Sequence, residues 1–369
     1  MLMTITKEEY KKRVIRFENL VADRAAFIDA KTPGSDKKEN YTIIGPGVSE
    51  SSNRVINLEE AHGFNFGAAA MPNGIKNSLH SHLTAEVFIV AKGTWRFFWG
   101  IDGTEGEAIL KEGDVFSIPT LIFRAFENIG ADDGFLYCIL GEDNPGKVTW
   151  APQVLRAAEG HGLVLLEDGR LIDTTAGQEV PVDGKVVTPI SEEELSKVPK
   201  ISAEEMSKQI FRFQDRVPHQ ESYLDCRLPG GAKKSYGILG EGMAEAVDRP
   251  SLLNNKHAFT FELVEAELGN GFHPFKQSTK QVVFVQKGEW KISLGENGEE
   301  GEVVLKEKDI MSIPTDVYRR IESVGKETGF LFIINSGDDR PKLEWAPEVV
   351  SAARKTGLYL NENNRLLEL

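Results

Sequence analysis

A chain that matches itself along most of its length must fold as two like units, and this one does so at an offset of 195 residues. That offset lays Gly93 on Gly288, Trp95 on Trp290, Pro119 on Pro314, Phe135 on Phe330 and Arg170 on Arg365. It also lays Trp150-Ala151-Pro152 on Trp345-Ala346-Pro347, and from Glu86 to Ile172 nearly half the positions are identical without a gap. A one-residue slip carries the match upstream, with Arg16-Phe17 on Arg212-Phe213 and Pro33-Gly34 on Pro229-Gly230. The sequence therefore predicts a first domain over residues 1–174, a linker over 175–200 and a second domain over 201–369.

Within each copy the pattern is strand after strand. The runs 87–91, 115–119 and 135–140 are short, apolar and bounded by Gly, Asp, Asn or Pro. Lys92-Gly93, Lys287-Gly288, Asp102-Gly103 and Asn297-Gly298 read as hairpin turns. Thr6 with Glu9, Ser191 with Glu194 and Ser202 with Glu205 read as capping boxes of short helices. A Pro-led helix begins at Pro152 and again at Pro347, and a closing hairpin turns near Asp168-Gly169. Short strands at even spacing, with few helices between them, predict an all-β chain of two antiparallel sandwiches or barrels.

The net charge of −14 comes without any basic stripe, which argues against a nucleic acid or an anionic membrane as partner. Apolar runs are far too short to span a bilayer, and the opening residues have no signal-peptide core. Cys138 and Cys226 fall at positions that do not correspond between the copies, so they read as two reduced thiols of a cytoplasmic protein.

The chemistry concentrates between Gly74 and Gly93. Residues two apart on a strand share a face, so His80 and His82 project together, and Glu86 has the parity to join them. Two imidazoles and a carboxylate on one inward face form a facial ligand set for a divalent metal, with positions left open. At this point the sequence resembles the cupin family. That family's first motif is Gly, five residues, His-x-His, three or four residues, Glu, six residues, Gly, and Gly74, His80, His82, Glu86 and Gly93 meet every position. Of its second motif Gly113, Pro119 and Asn128 are present, while Leu121 replaces a Gly and Arg124 stands where the third His ligand would be. The resemblance implies two tandem jelly-roll β-barrels related by duplication, packed as an intramolecular pseudo-dimer and open to homo-oligomerisation.

The second copy acts as an internal control. Phe275, Gln277 and Gln281 occupy the positions of His80, His82 and Glu86, and His273 is displaced from them, so the second barrel is expected to be structural. His62 is a remote candidate for a further ligand, but its counterpart His257 persists where the motif is lost. Arg124 can grip a substrate carboxylate or phosphate, or form a salt bridge that fixes its strand; Arg319 repeats it. Phe98 and Trp99, which become Ser293 and Leu294 in the second copy, are candidate pocket residues of the first.

The expected cofactor is one divalent metal, Fe(II) first, with Mn, Zn or Ni able to occupy the same set. The expected activity is that of a metal-dependent enzyme on a small organic, possibly anionic, molecule, with an oxygenase placed first. The alternatives are a non-redox isomerase or decarboxylase, and a non-catalytic binding or structural bicupin.

Overall fold

A computed structural model of the chain describes residues 5–369; the first four residues of the expected first domain lie outside them. Alternation along the strands sets which side chains form each core. In Thr94–Trp99 the side chains of Trp95, Phe97 and Trp99 are buried and those between them are half-exposed. Arg96 faces outward and pairs with Glu107 at 2.8 Å. The turn before this strand needs glycine: Gly93 has φ +95°, and a Cβ there would lie 3.1 Å from the Gly134 Cα.

The chain divides into two compact units. One comprises Leu20–Gln214 and pairs a seven-stranded sheet with a five-stranded sheet. The larger sheet runs, edge to edge, Ile210–Phe211, Val115–Ile118, Glu86–Lys92, Gly134–Gly141, Phe64–Met71, Glu39–Ile44 and Ile56–Leu58. The smaller runs Thr149–Trp150, Lys76–Ser81, Arg124–Asn128, Thr94–Trp99 and Gly106–Lys111. The other unit, Asp215–Leu369 with the described residues up to Asn19, repeats the seven-plus-five arrangement. The expected Pro-led helices run Pro152–Gly160 and Pro347–Lys355, and all three capping boxes form.

The two leading segments do not stay with their own copies. The sequence expectation groups residues up to 19 with the first barrel and residues 201–214 with the second; each belongs to the other unit. Strand Val14–Ile15 pairs antiparallel with Ile310–Ile313, and strand Ile210–Phe211 with Val115–Ile118. One anchor is repeated in both. The Arg16 guanidinium lies 2.6 Å from the Asp309 carboxylate, which also accepts the Phe17 N–H at 3.0 Å. Arg212 lies 2.8 Å from Asp114, which accepts the Phe213 N–H at 2.9 Å. An offset in sequence finds like segments, but an exposed sheet edge is completed by whichever strand reaches it. The expected linker is likewise a packed part of the first unit: the Val187 N–H donates to the Leu165 carbonyl at 2.9 Å, and Val187, Ile190, Leu195 and Val198 pack on its core.

Each unit also buries the same polar constellation. Lys38 pairs with Asp29 and donates to Asn77 at 2.6 Å, and Lys233 pairs with Asp225 at 2.5 Å. Beside them Glu50 accepts from the Trp150 indole (2.6 Å) and the Ile28 N–H (2.7 Å). Glu245 does the same with Trp345 (2.8 Å) and Leu224 (2.7 Å). Burial pushes the Glu50 carboxyl up to about 7 and Glu245 up to about 8, from an ordinary value of 4.5. Each therefore protonates more readily folded than unfolded. The stability this gives is complete below pH 4.5 and is lost as pH rises through about 7 and about 8. Urea unfolding between pH 5 and 8 is expected to show stability falling with pH, by on the order of 3 kcal/mol per carboxyl. In a Glu50→Gln/Glu245→Gln double variant that slope should flatten; an unchanged slope would mean both groups are ionised when folded.

Candidate metal centre

His80 lies on Lys76–Ser81 of the smaller sheet, opposite Arg124 and Trp150, and His82 follows it at the strand's end. Glu86 opens the strand Glu86–Lys92 of the larger sheet, opposite Ile118 and Leu140. The turn between the strands thus brings donors from both sheets to one place inside the barrel. All three side chains are buried, and one donor atom from each lies within 4.8 Å of the others. The two imidazoles are 5.1 Å apart between centroids, and His82 Nε2 is 3.7 Å from a Glu86 oxygen. Among the described residues no other group of three such donors occurs.

The protonation states suit a cation. Burial, then the charge of Arg124, holds both His80 and His82 well below the usual imidazole range, so both rings are neutral. His80 Nδ1–H donates to the Ser78 carbonyl at 2.7 Å, which fixes the tautomer and leaves Nε2 with a free lone pair. His82 Nδ1 is buried without a hydrogen-bond partner. Two neutral imidazoles, one orphaned ring nitrogen and a carboxylate fit a divalent metal in donor type and number.

Of the two roles expected for Arg124, the structure has the salt bridge. It is buried, and its guanidinium is spent on one Glu86 oxygen, with Nε donating at 3.1 Å and Nη2 also in contact; Nη1 donates to the His80 carbonyl at 3.3 Å. The side chain fixes the ligand carboxylate instead of reaching into the cavity for a substrate anion. Burial raises the Glu86 carboxyl while Arg124 draws it down. In the second unit, where Gln281 replaces Glu86, the fully buried Arg319 turns to the carbonyls of Val317 (2.8 Å) and Pro314 (3.0 Å). Desolvation lowers it to about 9.

The donors line a cavity of about 80 Å³, walled by Phe66, Phe88, Phe126 and Leu136, with Cys138, Asn65 and Thr42 among its other residues. The expected pocket residues Phe98 and Trp99 are not part of it. Trp99 is a core residue whose indole donates to the Ile201 carbonyl at 3.1 Å, and Phe98 faces the other way, its ring 5.0 Å from the Arg96 guanidinium. Nor does His62 line it; its Nδ1 contacts the Glu60 carbonyl at 2.5 Å, as His257 Nδ1 contacts Asn255 at 3.0 Å. Comparison of the copies explains the space. Gly67, Val48 and Phe27 become Glu262, Met243 and Tyr223, and Glu262 accepts from the Tyr223 hydroxyl (3.0 Å) and the Met243 N–H (3.2 Å). Phe275 packs on Trp345, and Gln277 and Gln281 both donate to Asn335. The second barrel is filled where the first is hollow, a difference readable in the sequence from Gly67 against Glu262.

Residues 58–160 match the family model described as Cupin. No curated protein sequence matches the chain. Among solved structures, oxalate decarboxylase of Lactobacillus farciminis aligns over 92% of this chain and 90% of its own, at 13% identity and a TM-score of 0.53. A variant of Bacillus subtilis oxalate decarboxylase aligns over 100% and 90%, at 11% identity and 0.53. Hazelnut vicilin, from Corylus avellana, aligns over 90% and 87%, at 12% identity and 0.50. Among the described residues no helix is long and apolar enough to cross a membrane. With the motif on paired strands, the cavity behind it and these likenesses, residues 58–160 are a cupin domain, in a chain with the two-barrel cupin fold.

Proposed function

We propose that this bicupin is a metal-dependent enzyme whose first barrel holds one divalent ion on His80, His82 and Glu86 and acts there on a small organic molecule. The observation that carries the reading is the burial of two neutral imidazoles and a carboxylate on the wall of the cavity. A bound divalent ion supplies Lewis acidity and, as Fe(II), a site for oxygen beside the substrate. The chain's own residues do the rest. Ser78 holds the His80 tautomer, Arg124 orients Glu86, and the aromatic wall excludes water.

Three protein donors leave room for two exogenous ligands, which favours oxygen activation, with Fe(II) first and Mn, Zn or Ni as alternatives. The fold likeness to oxalate decarboxylases supports decarboxylation of a small carboxylic acid as a second chemistry within the same reading. A non-catalytic reading has its own support: Arg124 already neutralises Glu86, so a metal here meets a weaker field than the donor set alone would give.

Elemental analysis of the purified protein by plasma mass spectrometry tests the metal. About one ion per chain in wild type, lost in His82→Ala, is the expected result. No metal in either, even after anaerobic loading with Fe(II), Mn or Zn, would leave the non-catalytic reading standing. Oxygen uptake by the Fe(II)-loaded protein, set against formate release from oxalate by the Mn-loaded one, separates the two chemistries.

A further inference from the structure

Outside the metal cavity lies a second space, an open groove of about 680 Å³. Gly47, Val48, Ser49, Val148 and Trp150 line both, so a single layer of residues separates the groove from the donors' cavity. The groove's lining is more apolar than polar: Leu83, Phe123, Leu155 and Leu165 come from the barrel side and Val187 and Ile190 from residues 175–200. The charged Glu50, Lys147, Glu167, Glu194 and Lys197 are also on it. That second wall is informative. Residues 175–200 are the one long segment without a counterpart in the other copy, and they fold back onto the unit that carries the metal donors. The cavity itself has room for only a few non-hydrogen atoms, and among its lining residues there is no lysine or arginine to hold a charged substrate.

We infer that the substrate is an amphiphile: a small oxygen-bearing head enters the cavity past Val48 and Trp150, and an apolar tail lies in the groove under Val187 and Ile190. This rests on the metal-dependent reading and adds the class of molecule to it. A head of a few atoms gains too little contact to be held by the cavity alone, and each tail methylene transferred from water to the groove strengthens binding roughly fourfold. The non-repeated segment is then a specificity wall, present only where there is a reacting centre to serve.

The test uses alkyl hydroxamates, whose head chelates a divalent ion and whose tail can be lengthened. Acetohydroxamate and octanohydroxamate are titrated into the full-length Co(II)-loaded protein, followed by calorimetry and by cobalt absorbance. Octanohydroxamate is expected to bind at least a hundredfold more tightly. Ile190→Asp, and separately Val187→Asp, should remove most of that gain while acetohydroxamate affinity and the cobalt spectrum stay unchanged, which also reports that the variant is folded. If acetohydroxamate binds and lengthening its tail changes nothing, or both groove variants keep the full gain, the amphiphile inference is overturned and the metal reading stands. If octanohydroxamate binds in an Ile190-dependent way without perturbing cobalt, the groove holds a tail whose head does not reach the ion, and the amphiphile inference is overturned while the metal reading stands. If neither compound binds the cobalt-loaded protein, the amphiphile inference is overturned, and the metal reading is decided by the elemental analysis.

Discussion

Deleting residues 1–19 is expected to unfold the second barrel and to leave the first intact. The deleted arm supplies the edge strand Val14–Ile15, which pairs with Ile310–Ile313, and the Arg16 and Phe17 contacts that neutralise and satisfy the buried Asp309 carboxylate. Removing the cationic partner of a buried carboxylate costs about 3 to 5 kcal/mol, and an exposed sheet edge adds an aggregation route. Against a domain stability of about 5 to 15 kcal/mol, that loss is decisive. Calorimetry should show one transition at or near its original temperature and a second moved far down or absent. Metal content should be unchanged, because the metal donors lie in the other unit. A deletion that instead melted the first barrel would mean the arm stabilises its own copy. The single substitution Asp309→Ala tests the same anchor without removing the strand.

Replacing Arg124 should trade stability of the metal-free protein for metal affinity. In Arg124→Met the Glu86 carboxylate keeps its buried position and loses its counter-charge, so the metal-free protein is expected to lose about 3 to 5 kcal/mol. A divalent ion supplies the missing positive charge, and the repulsion between guanidinium and metal is gone. Affinity measured by chelator competition should therefore rise about tenfold or more, and metal should raise the variant's melting temperature further than that of wild type. Arg124→His should go further by adding an imidazole where the family motif has one. If metal binds Arg124→Met more weakly than wild type, the arginine's role is to hold Glu86 in a ligating pose. Orientation would then outweigh charge.

Much of the fold was legible because duplication prints it twice. The hairpin turns at Asp102-Gly103 and Asn297-Gly298, the capping boxes at Thr6 and Ser202 and the Pro-led helices occur at matching places and form as expected. Lys92-Gly93 and Lys287-Gly288, expected as hairpin turns, instead carry the chain from the seven-stranded to the five-stranded sheet of each unit. His80, His82 and Glu86 were legible as a set from their spacing, but alternation along one strand is not what gathers them. Glu86 opens a strand of the other sheet, and the turn between the strands brings it to the histidines. What the sequence hid were relations between distant segments. No local pattern says that Arg124 will reach Glu86, 38 residues away, instead of a substrate. Nothing in the alternation of Thr94–Trp99 shows that Trp99 joins the core rather than the cavity wall. The exchange of leading arms is invisible to any method that reads like with like, because both arms obey the same rule and differ only in which edge they complete.

That exchange bears on how such a chain could diverge. Two separate identical molecules that traded arms would be bound by symmetry: every substitution in one appears in the other, and a lost metal site is lost twice. Tandem fusion breaks the bond between inheritance and architecture. The mutual dependence of the halves persists, so neither can be shed, yet each now drifts under its own selection. One copy could fill its hollow with Glu262 and Tyr223, while the other kept a cavity lined by His80, His82 and Glu86.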